Sequence, residues 1–120
     1  MAADPQQRAF SEAVQLLARE LTGHRVKVQF FAREAGEGGL MEDALTDMAA
    51  RRIRFNTRAG LRFEDPLEPR TFGVILHELA HLDTPLHDRR FVDRLQYLAG
   101  AAARLLAERG EEVARRLREG

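Results

Sequence analysis

The chain has 120 residues, which suits a single domain, residues 1–120, whose core buries about two-thirds of the unfolded surface. Its 19 Lys and Arg residues balance 19 Asp and Glu residues, and a net charge of zero argues against a dominant role in binding nucleic acid or another polyanion. Because the chain has no cysteine, disulfides and cysteine-ligated zinc sites are excluded. Because the chain shows neither a signal-like N-terminus nor a run of ~18 apolar residues, we expect a cytoplasmic protein without a membrane role.

The first predicted element is a helix. Asp4 is suited to the N-cap of this helix, Pro5 to its first turn and Gln7 to the capping-box position. Gly23 is expected to end the helix. Between these signals the apolar residues recur at helical spacing: Phe10, Val14, Leu17 and Leu21. We expect this stripe to pack on a sheet.

Two strands and one further helix are predicted next. Alternating apolar residues in 25–33 and in 52–56 indicate half-buried strands, the second with Ile53 and Phe55 facing inward. A glycine-rich connection occupies residues 34–39. Residues 40–50 fit a helix, with acidic residues early and arginines late.

Two helices and the turn between them complete the chain. After a loop over residues 57–68, a helix begins at Pro69 and should stop near Leu82, because Pro85 disfavours helical backbone at Thr84. Thr84 can cap a last helix that starts near Pro85 and runs to about residue 108. Gly110 interrupts it, and residues 111–119 form a charged amphipathic tail.

The chemistry of the chain concentrates at the end of the first of these two helices. The sequence His77-Glu78-Leu79-Ala80-His81 places two imidazoles one turn apart on one helix face, opposite an apolar stripe. The turn at Pro85 can bring His87 back toward the pair. Three imidazoles suit Zn²⁺, and Glu78 is then the candidate general base toward an activated water.

Four other polar residues are open to more than one interpretation. Asp83 and Asp88 can each orient a histidine ligand through its second ring nitrogen, or each can be an exposed or a capping aspartate. His24 is a possible fourth ligand but suits an exposed or capping position better. Tyr97, ten residues beyond His87, is expected to pack rather than to stabilise an oxyanion.

These residues resemble the motif of the zincin metallopeptidases. The spacing of His77, His81 and His87 is that of the metzincins, although Thr84 replaces their glycine and no methionine follows. A closer likeness is to the WLM type and its SprT-like relatives. In the WLM type an H-E-L-x-H helix precedes a His and an aromatic residue, here His87 and Phe91. The SprT-like pattern implies a second strand near residues 40–50 in place of the helix. The resemblance implies a zincin-like α+β fold, a small mixed sheet packed on helices, zinc, and a peptide or protein substrate held by an edge strand, either 25–33 or 52–56.

Three functions follow from the pattern. The first is a zinc-dependent peptidase in which three histidines bind the ion and Glu78 is the base. The second is a metal-dependent endoribonuclease, because the rRNA-maturation nucleases share the histidine spacing, although they usually have Gly where Glu78 stands. The third is a catalytically silent zincin-like domain with a regulatory or binding role. The oligomeric state is not predictable from the sequence.

Overall fold

The protein, described here by a computed structural model over residues 4–35 and 42–119, has a mixed α+β fold. Three helices and three strands follow one another as α1 (Pro5–Thr22), β1 (Lys27–Phe31), β2 (Ala44–Asp47), β3 (Arg52–Asn56), α2 (Pro69–Ala80) and α3 (Arg89–Glu119). Within the described ranges, none of the helices is both long enough and apolar enough to cross a lipid bilayer.

Helix α1 begins and ends as its sequence predicts. The Asp4 carboxylate accepts hydrogen bonds from the backbone N–H groups of Gln6 and Gln7, at 2.8 and 3.1 Å. At the other end Gly23 adopts a left-handed φ of 76°, which glycine reaches without steric cost, and its N–H bonds to the Arg19 carbonyl. The buried face of α1 consists of Phe10, Ala13, Val14, Leu17, Ala18 and Leu21.

The sheet has the order β1-β3-β2, so the last strand in the chain lies in the middle. Strand β1 runs parallel to β3, with Val28 opposite Ile53, and β2 runs antiparallel to β3, with Leu45 opposite Arg54. The predicted strand at 52–56 is confirmed as β3. Its predicted role as an edge that pairs with a peptide is wrong, because both of its sides are already paired.

The predicted helix at 40–50 is also wrong. Residues Ala44–Asp47 form strand β2, and residues 48–50 form a turn in which the Asp47 carboxylate accepts from the Ala50 N–H at 3.2 Å. Arg51 then takes a left-handed φ of 49° and leads into β3. The apolar residues of this segment have helical spacing, but its backbone forms hydrogen bonds with β3, and these favour a strand over a helix. The beginning of that segment, Leu40 and Met41, lies outside the described residues.

Aromatic rings fill the space between α1 and the sheet. The Phe10 ring meets the rings of Phe55 and Phe63 edge-on, with centroid distances of 5.0 and 4.8 Å. Phe30 lies against the same group, 5.4 Å from Phe63. Helix α2 adds Ile75 and Leu79, both fully buried. The opposite face of α2 is thereby turned away from the core and toward β2.

Helix α2 starts as predicted, but α3 starts later than predicted. Glu68 caps α2, accepting from the N–H groups of Arg70 and Thr71. Helix α3 begins at Arg89 rather than near Pro85, and its cap is Asp88, whose carboxylate accepts from the Phe91 N–H at 3.2 Å. Residues 81–88 therefore form a longer connection than the sequence suggests.

Helix α3 is interrupted beside Gly110, where the sequence predicts a break. Arg109, directly before Gly110, has non-helical backbone angles of φ −135° and ψ 24°, so the helix bends there. The Arg109 guanidinium bonds to Glu112 on the same helix and to Glu20 on α1, both at 3.1 Å. These bonds hold the end of α3 against α1 beyond the bend.

Candidate metal centre

Three imidazoles converge at the end of α2. His77 and His81 lie one turn apart on the helix, and the connection to α3 brings His87 back to them. The Nε2 atom of His77 is 3.2 Å from that of His81 and 3.1 Å from that of His87, and the remaining pair is 2.9 Å apart. The three predicted ligand residues are therefore brought together.

This triangle of nitrogens fits a metal ion better than it fits hydrogen bonding. A neutral imidazole offers one N–H and one lone pair, so three Nε2 atoms cannot all bond to one another. Nitrogens bound at 2.0–2.1 Å to one tetrahedral ion are about 3.3 Å apart, close to the observed 2.9–3.2 Å. The His77, His81 and His87 side chains can thus hold one metal ion.

The backbone sets the tautomer of one of these rings. His81 Nδ1 lies 2.9 Å from the Thr84 carbonyl oxygen, which only accepts hydrogen bonds. Nδ1 must therefore carry the proton, which leaves a lone pair on Nε2 inside the triangle. Thr84 is 4% exposed and His81 is 8% exposed, so water competes little for this bond.

Phe91 packs against all three histidines. Its ring centroid lies 4.8 Å from His77, 4.7 Å from His81 and 4.9 Å from His87. The His81 and Phe91 rings are nearly parallel, at 29°. Because Phe91 belongs to the first turn of α3, this contact fixes the imidazoles against the next helix.

Partial burial of His77 favours the form of its ring that binds metal. Desolvation lowers the pKa of the His77 imidazole, and the charges of His81 and His87 lower it further. A lowered pKa favours the neutral ring, whose lone pair is available to a cation.

Glu78 lies beside the triangle and is held by a residue that the sequence analysis did not single out. The side chain is 7% exposed, and its Oε2 atom is 3.9 Å from His77 Nε2. The Thr46 hydroxyl lies 2.7 Å from Oε1 and 3.1 Å from the Glu78 carbonyl oxygen. Burial raises the pKa of this carboxyl, and the bond from Thr46 partly offsets that rise.

The other residues considered in the sequence have different roles. The Asp83 carboxylate pairs with Arg94 at 2.7 Å and lies 4.0 Å from His24 Nε2, while Asp88 caps α3. His24 thus lies outside the triangle, and the residue that orients His81 is Thr84, through its carbonyl group. Tyr97 is 61% exposed, and the Arg94 guanidinium lies over its ring at 5.2 Å, so the packing expected of this residue is a contact at the surface.

A cleft runs between β2 and α2 on both sides of the candidate centre. One cavity, of about 260 Å³, is lined by residues of β2 and its turn, by the centre and by Pro85. A second, of about 350 Å³, lies between Asp43 at the start of β2 and Arg70 near the start of α2. Ala44, His77 and Glu78 border both cavities, so the centre lies where the two meet.

Comparison with known proteins gives a likeness of fold. The sequence matches no protein-family model and no curated protein at a significant level. The structure is similar to the crystal structure of the metallopeptidase zymogen of Pyrococcus abyssi abylysin, with a TM-score of 0.50 and 20% sequence identity. The match covers 82% of this chain and 93% of that one. The chain therefore has a small mixed α+β fold similar to that of a metallopeptidase.

Proposed function

We propose that the protein is a zinc-dependent peptidase of zincin-like type that hydrolyses peptide bonds in peptide or protein substrates. His77, His81 and His87 would hold the ion, and Glu78 would be the general base. The observation that carries the proposal is the convergence of three Nε2 atoms within 2.9–3.2 Å of one another beside a buried carboxyl group. The similarity in fold to a metallopeptidase supports the same kind of activity.

Three histidine ligands match the donor set of catalytic zinc sites, which keep one position for water or substrate. When bound, the ion would supply a Lewis acid that acidifies water and polarises a carbonyl group. Glu78 would accept the proton of the attacking water at Oε2, the oxygen nearer the histidines, and later donate it to the leaving amine. Thr46 holds the other oxygen and so fixes the direction of the carboxyl group.

Strand β2 offers the backbone groups that an extended substrate needs. The Asn56 N–H bonds to the Asp43 carbonyl oxygen at 2.9 Å, which places Asp43 and, two residues on, Leu45 among the residues that bond to β3. The N–H and C=O groups of Ala44 and Thr46 therefore point to the other side, toward the cleft. A peptide can pair with them as an added strand. The substrate-holding edge proposed here is β2, in place of the two strands that the sequence suggested.

Metal binding is the first test. Purified wild-type protein should bind close to one zinc per chain, and His87→Ala should bind it much more weakly because one of three ligands is lost. His24→Ala is the matched control, since it removes the remaining histidine of the chain and should leave zinc content unchanged. Full zinc retention by His87→Ala, measured by elemental analysis after dialysis, would remove that residue from the ligand set.

Catalysis is the second test. Glu78→Gln should retain zinc but lose cleavage of a peptide library, by at least the 10²-fold typical of a lost general base. Glu64→Gln, an exposed glutamate, is the control for the same chemical change elsewhere. An unchanged cleavage rate in Glu78→Gln would exclude the assigned base.

The same preparations separate the other two functions. RNA cleavage that a chelator abolishes, without peptide cleavage, would indicate a nuclease. A zinc-loaded wild type that cuts neither polymer would indicate a silent domain.

A further inference from the structure

Helices α1 and α2 lie on the same face of the sheet. Phe10 of α1 packs on Phe55, and Thr46, which lies opposite Ile53 in the register, bonds to Glu78 of α2. Side chains alternate across a strand, so the intervening strand residues point to the other side, called here the outer face. The outer face presents Lys27 and Gln29 of β1, Leu45 and Asp47 of β2, and Arg52 and Arg54 of β3.

The outer face is positively charged, although the whole chain has no net charge. Lys27 lies directly opposite Arg52 on the neighbouring strand. Because adjacent strands are about 4.8 Å apart, this register places two like charges side by side, which costs free energy. The one acid that the three strands contribute is Asp47, and its Oδ1 already accepts from the Ala50 N–H at 3.2 Å.

The cations of the outer face have no neutralising carboxylate nearby. Within residues 4–35 and 42–119, every ion pair at 4.0 Å or less involves cations other than Lys27, Arg52 and Arg54. Arg54 Nε bonds to the Gln29 amide oxygen at 3.3 Å, and Arg52 is half-buried, with its Nε covered from solvent. Both guanidinium groups are thereby restricted in rotation, so less side-chain entropy is lost when an anion binds.

We propose that the outer face is an exosite, a surface outside the active centre, that binds an acidic segment of the substrate polypeptide. Its role in cleavage rests on the peptidase function proposed above, whereas the binding of the acidic segment does not. Alternate residues of an extended chain are about 6.6 Å apart, which is also the spacing of Arg52 and Arg54 along β3. A segment with acids at every second position can place one carboxylate on each guanidinium, and Lys27 strengthens the contact at Arg52.

A polypeptide fits this face better than a single-stranded nucleic acid does. Single strands bind through bases that stack on open aromatic rings. The aromatic residue that the strands place at this face is Phe31, and the Arg33 guanidinium lies over its ring at 5.5 Å. Leu45, 39% exposed and opposite Arg54, can instead pack against an apolar side chain within the acidic segment.

Strand β2 connects the exosite to the cleft. Its Thr46 side chain points to Glu78 in the cleft, whereas Leu45 and Asp47 point to the outer face. Strand β2 is also the last strand on its side of the sheet, so a bound chain can continue around this edge. About five extended residues, roughly 16 Å, suffice to pass from one face to the other. A substrate can thus occupy the centre and the exosite together.

Binding is tested with two fluorescent peptides that differ only at three alternate positions, which are Glu in one and Lys in the other. The protein carries Glu78→Gln so that the probes stay intact. Fluorescence anisotropy should show that the Glu peptide binds about tenfold more tightly than the Lys peptide. Adding Lys27→Glu and Arg54→Glu together should reverse this preference. Arg8→Glu with Arg104→Glu is the matched control, because it reverses two exposed charges on α1 and α3 and should leave the preference unchanged.

A reversed preference cannot arise from damage to the fold, which would weaken the binding of both peptides. Equal affinities for the two peptides, or a Lys27→Glu and Arg54→Glu protein that still prefers the Glu peptide, would overturn the exosite. A single-stranded oligonucleotide that displaces the Glu peptide at lower concentration than the unlabelled peptide itself would overturn the choice of a polypeptide as partner.

Cleavage separates the exosite from the activity. A substrate with the acidic segment about five residues from its scissile bond should have a KM about tenfold lower than its Gln counterpart. Lys27→Glu with Arg54→Glu should remove that difference and leave kcat on the Gln substrate unchanged. Cleavage with equal KM values would overturn the exosite and leave the peptidase intact. A wild type that cleaves nothing, while its Glu78→Gln form binds the Glu peptide selectively, would overturn the peptidase and leave the binding of acidic segments.

Discussion

Thr46 controls the position of the carboxyl group on which the proposed chemistry depends. Its hydroxyl lies 2.7 Å from Glu78 Oε1, and this contact leaves Oε2 as the oxygen that faces the histidines. Thr84 has a comparable role for His81, exerted through a backbone carbonyl. Each of these partners restricts the rotation of a group that would otherwise have several orientations.

Replacing Thr46 with valine should therefore impair turnover without releasing the metal. Valine keeps the branched shape that suits a strand but removes the hydroxyl, so Glu78 loses its orienting partner. We expect kcat to fall by about 10- to 100-fold, with zinc content unchanged. The comparison is Thr22→Val, which removes a hydroxyl bonded to the Ala18 carbonyl oxygen within α1 and bordering neither cavity of the cleft. Equal kcat values for wild type and Thr46→Val would show that Glu78 needs no such support.

The ligand residues were predictable because helix geometry is local. A spacing of four residues fixes the relation of His77 to His81 wherever the helix lies, and Pro85 signals the turn that returns His87. Thr46 lies 32 residues from Glu78, and no local pattern connects them. The same holds for the carbonyl of Thr84, because every residue has a carbonyl group and the sequence does not indicate which one is used.

Glu68 sets the start of the helix that carries the centre. Its carboxylate accepts from the N–H groups of Arg70 and Thr71 and from the Thr71 hydroxyl, and Thr71 is itself fully buried. These bonds to the charged form hold the pKa of Glu68 below its ordinary value, with the Arg70 N–H as the largest cause. The cap therefore stabilises the folded state more strongly when Glu68 is ionised than when it is protonated.

The contribution of Glu68 to the stability of the folded state therefore decreases as the pH falls. Because the folded pKa is lower than the unfolded one, the stabilisation is complete above the unfolded value and is lost as the pH falls through the folded value. Glu68→Gln should melt below wild type at neutral pH, and the difference in Tm should shrink as the pH falls below about 4.3, the ordinary value for a glutamate. A difference that is constant from neutral to acidic pH would show that charge has no part in the cap.

The elements predicted wrongly from the sequence are those whose secondary structure depends on tertiary contacts. Residues 40–50 have helical spacing, yet β3 provides a row of hydrogen-bonding groups on which Ala44–Asp47 forms a strand. The last helix has a plausible cap at Thr84, but the Thr84 carbonyl bonds to His81, and Asp88 caps instead. In contrast, α1 was predicted from Asp4 to Gly23 because its capping signals act within a single turn.

At the scale of the whole molecule, one aromatic cluster joins α1 to the sheet on which the site is built. Phe10 is fully buried and contacts Phe55 on β3 and Phe63 in the following loop. Helix α2 packs on the same core through Ile75 and Leu79. The relative position of β2 and α2, and hence the width of the cleft, depends on this core.

Phe10→Ala should lower the free energy of unfolding by about 3–5 kcal/mol, the usual cost of deleting a buried aromatic ring. Urea unfolding followed by circular dichroism measures the change. Phe31→Ala is the matched control, since Phe31 is a half-buried phenylalanine on the edge strand β1 and should cost clearly less. Equal losses for the two variants would contradict the central place of Phe10.

The position of β3 has a consequence for how the molecule assembles. Strands β1 and β2 each pair with β3 and not with each other, so neither has a neighbour until Asn56 has been synthesised. While the chain is emerging from the ribosome, α1 can form from its own capping signals, but the sheet must wait for its last member. The cleft arises later still, when α2 docks beside β2, so the three imidazoles of the candidate centre come together only after the connection that carries His87 has been synthesised.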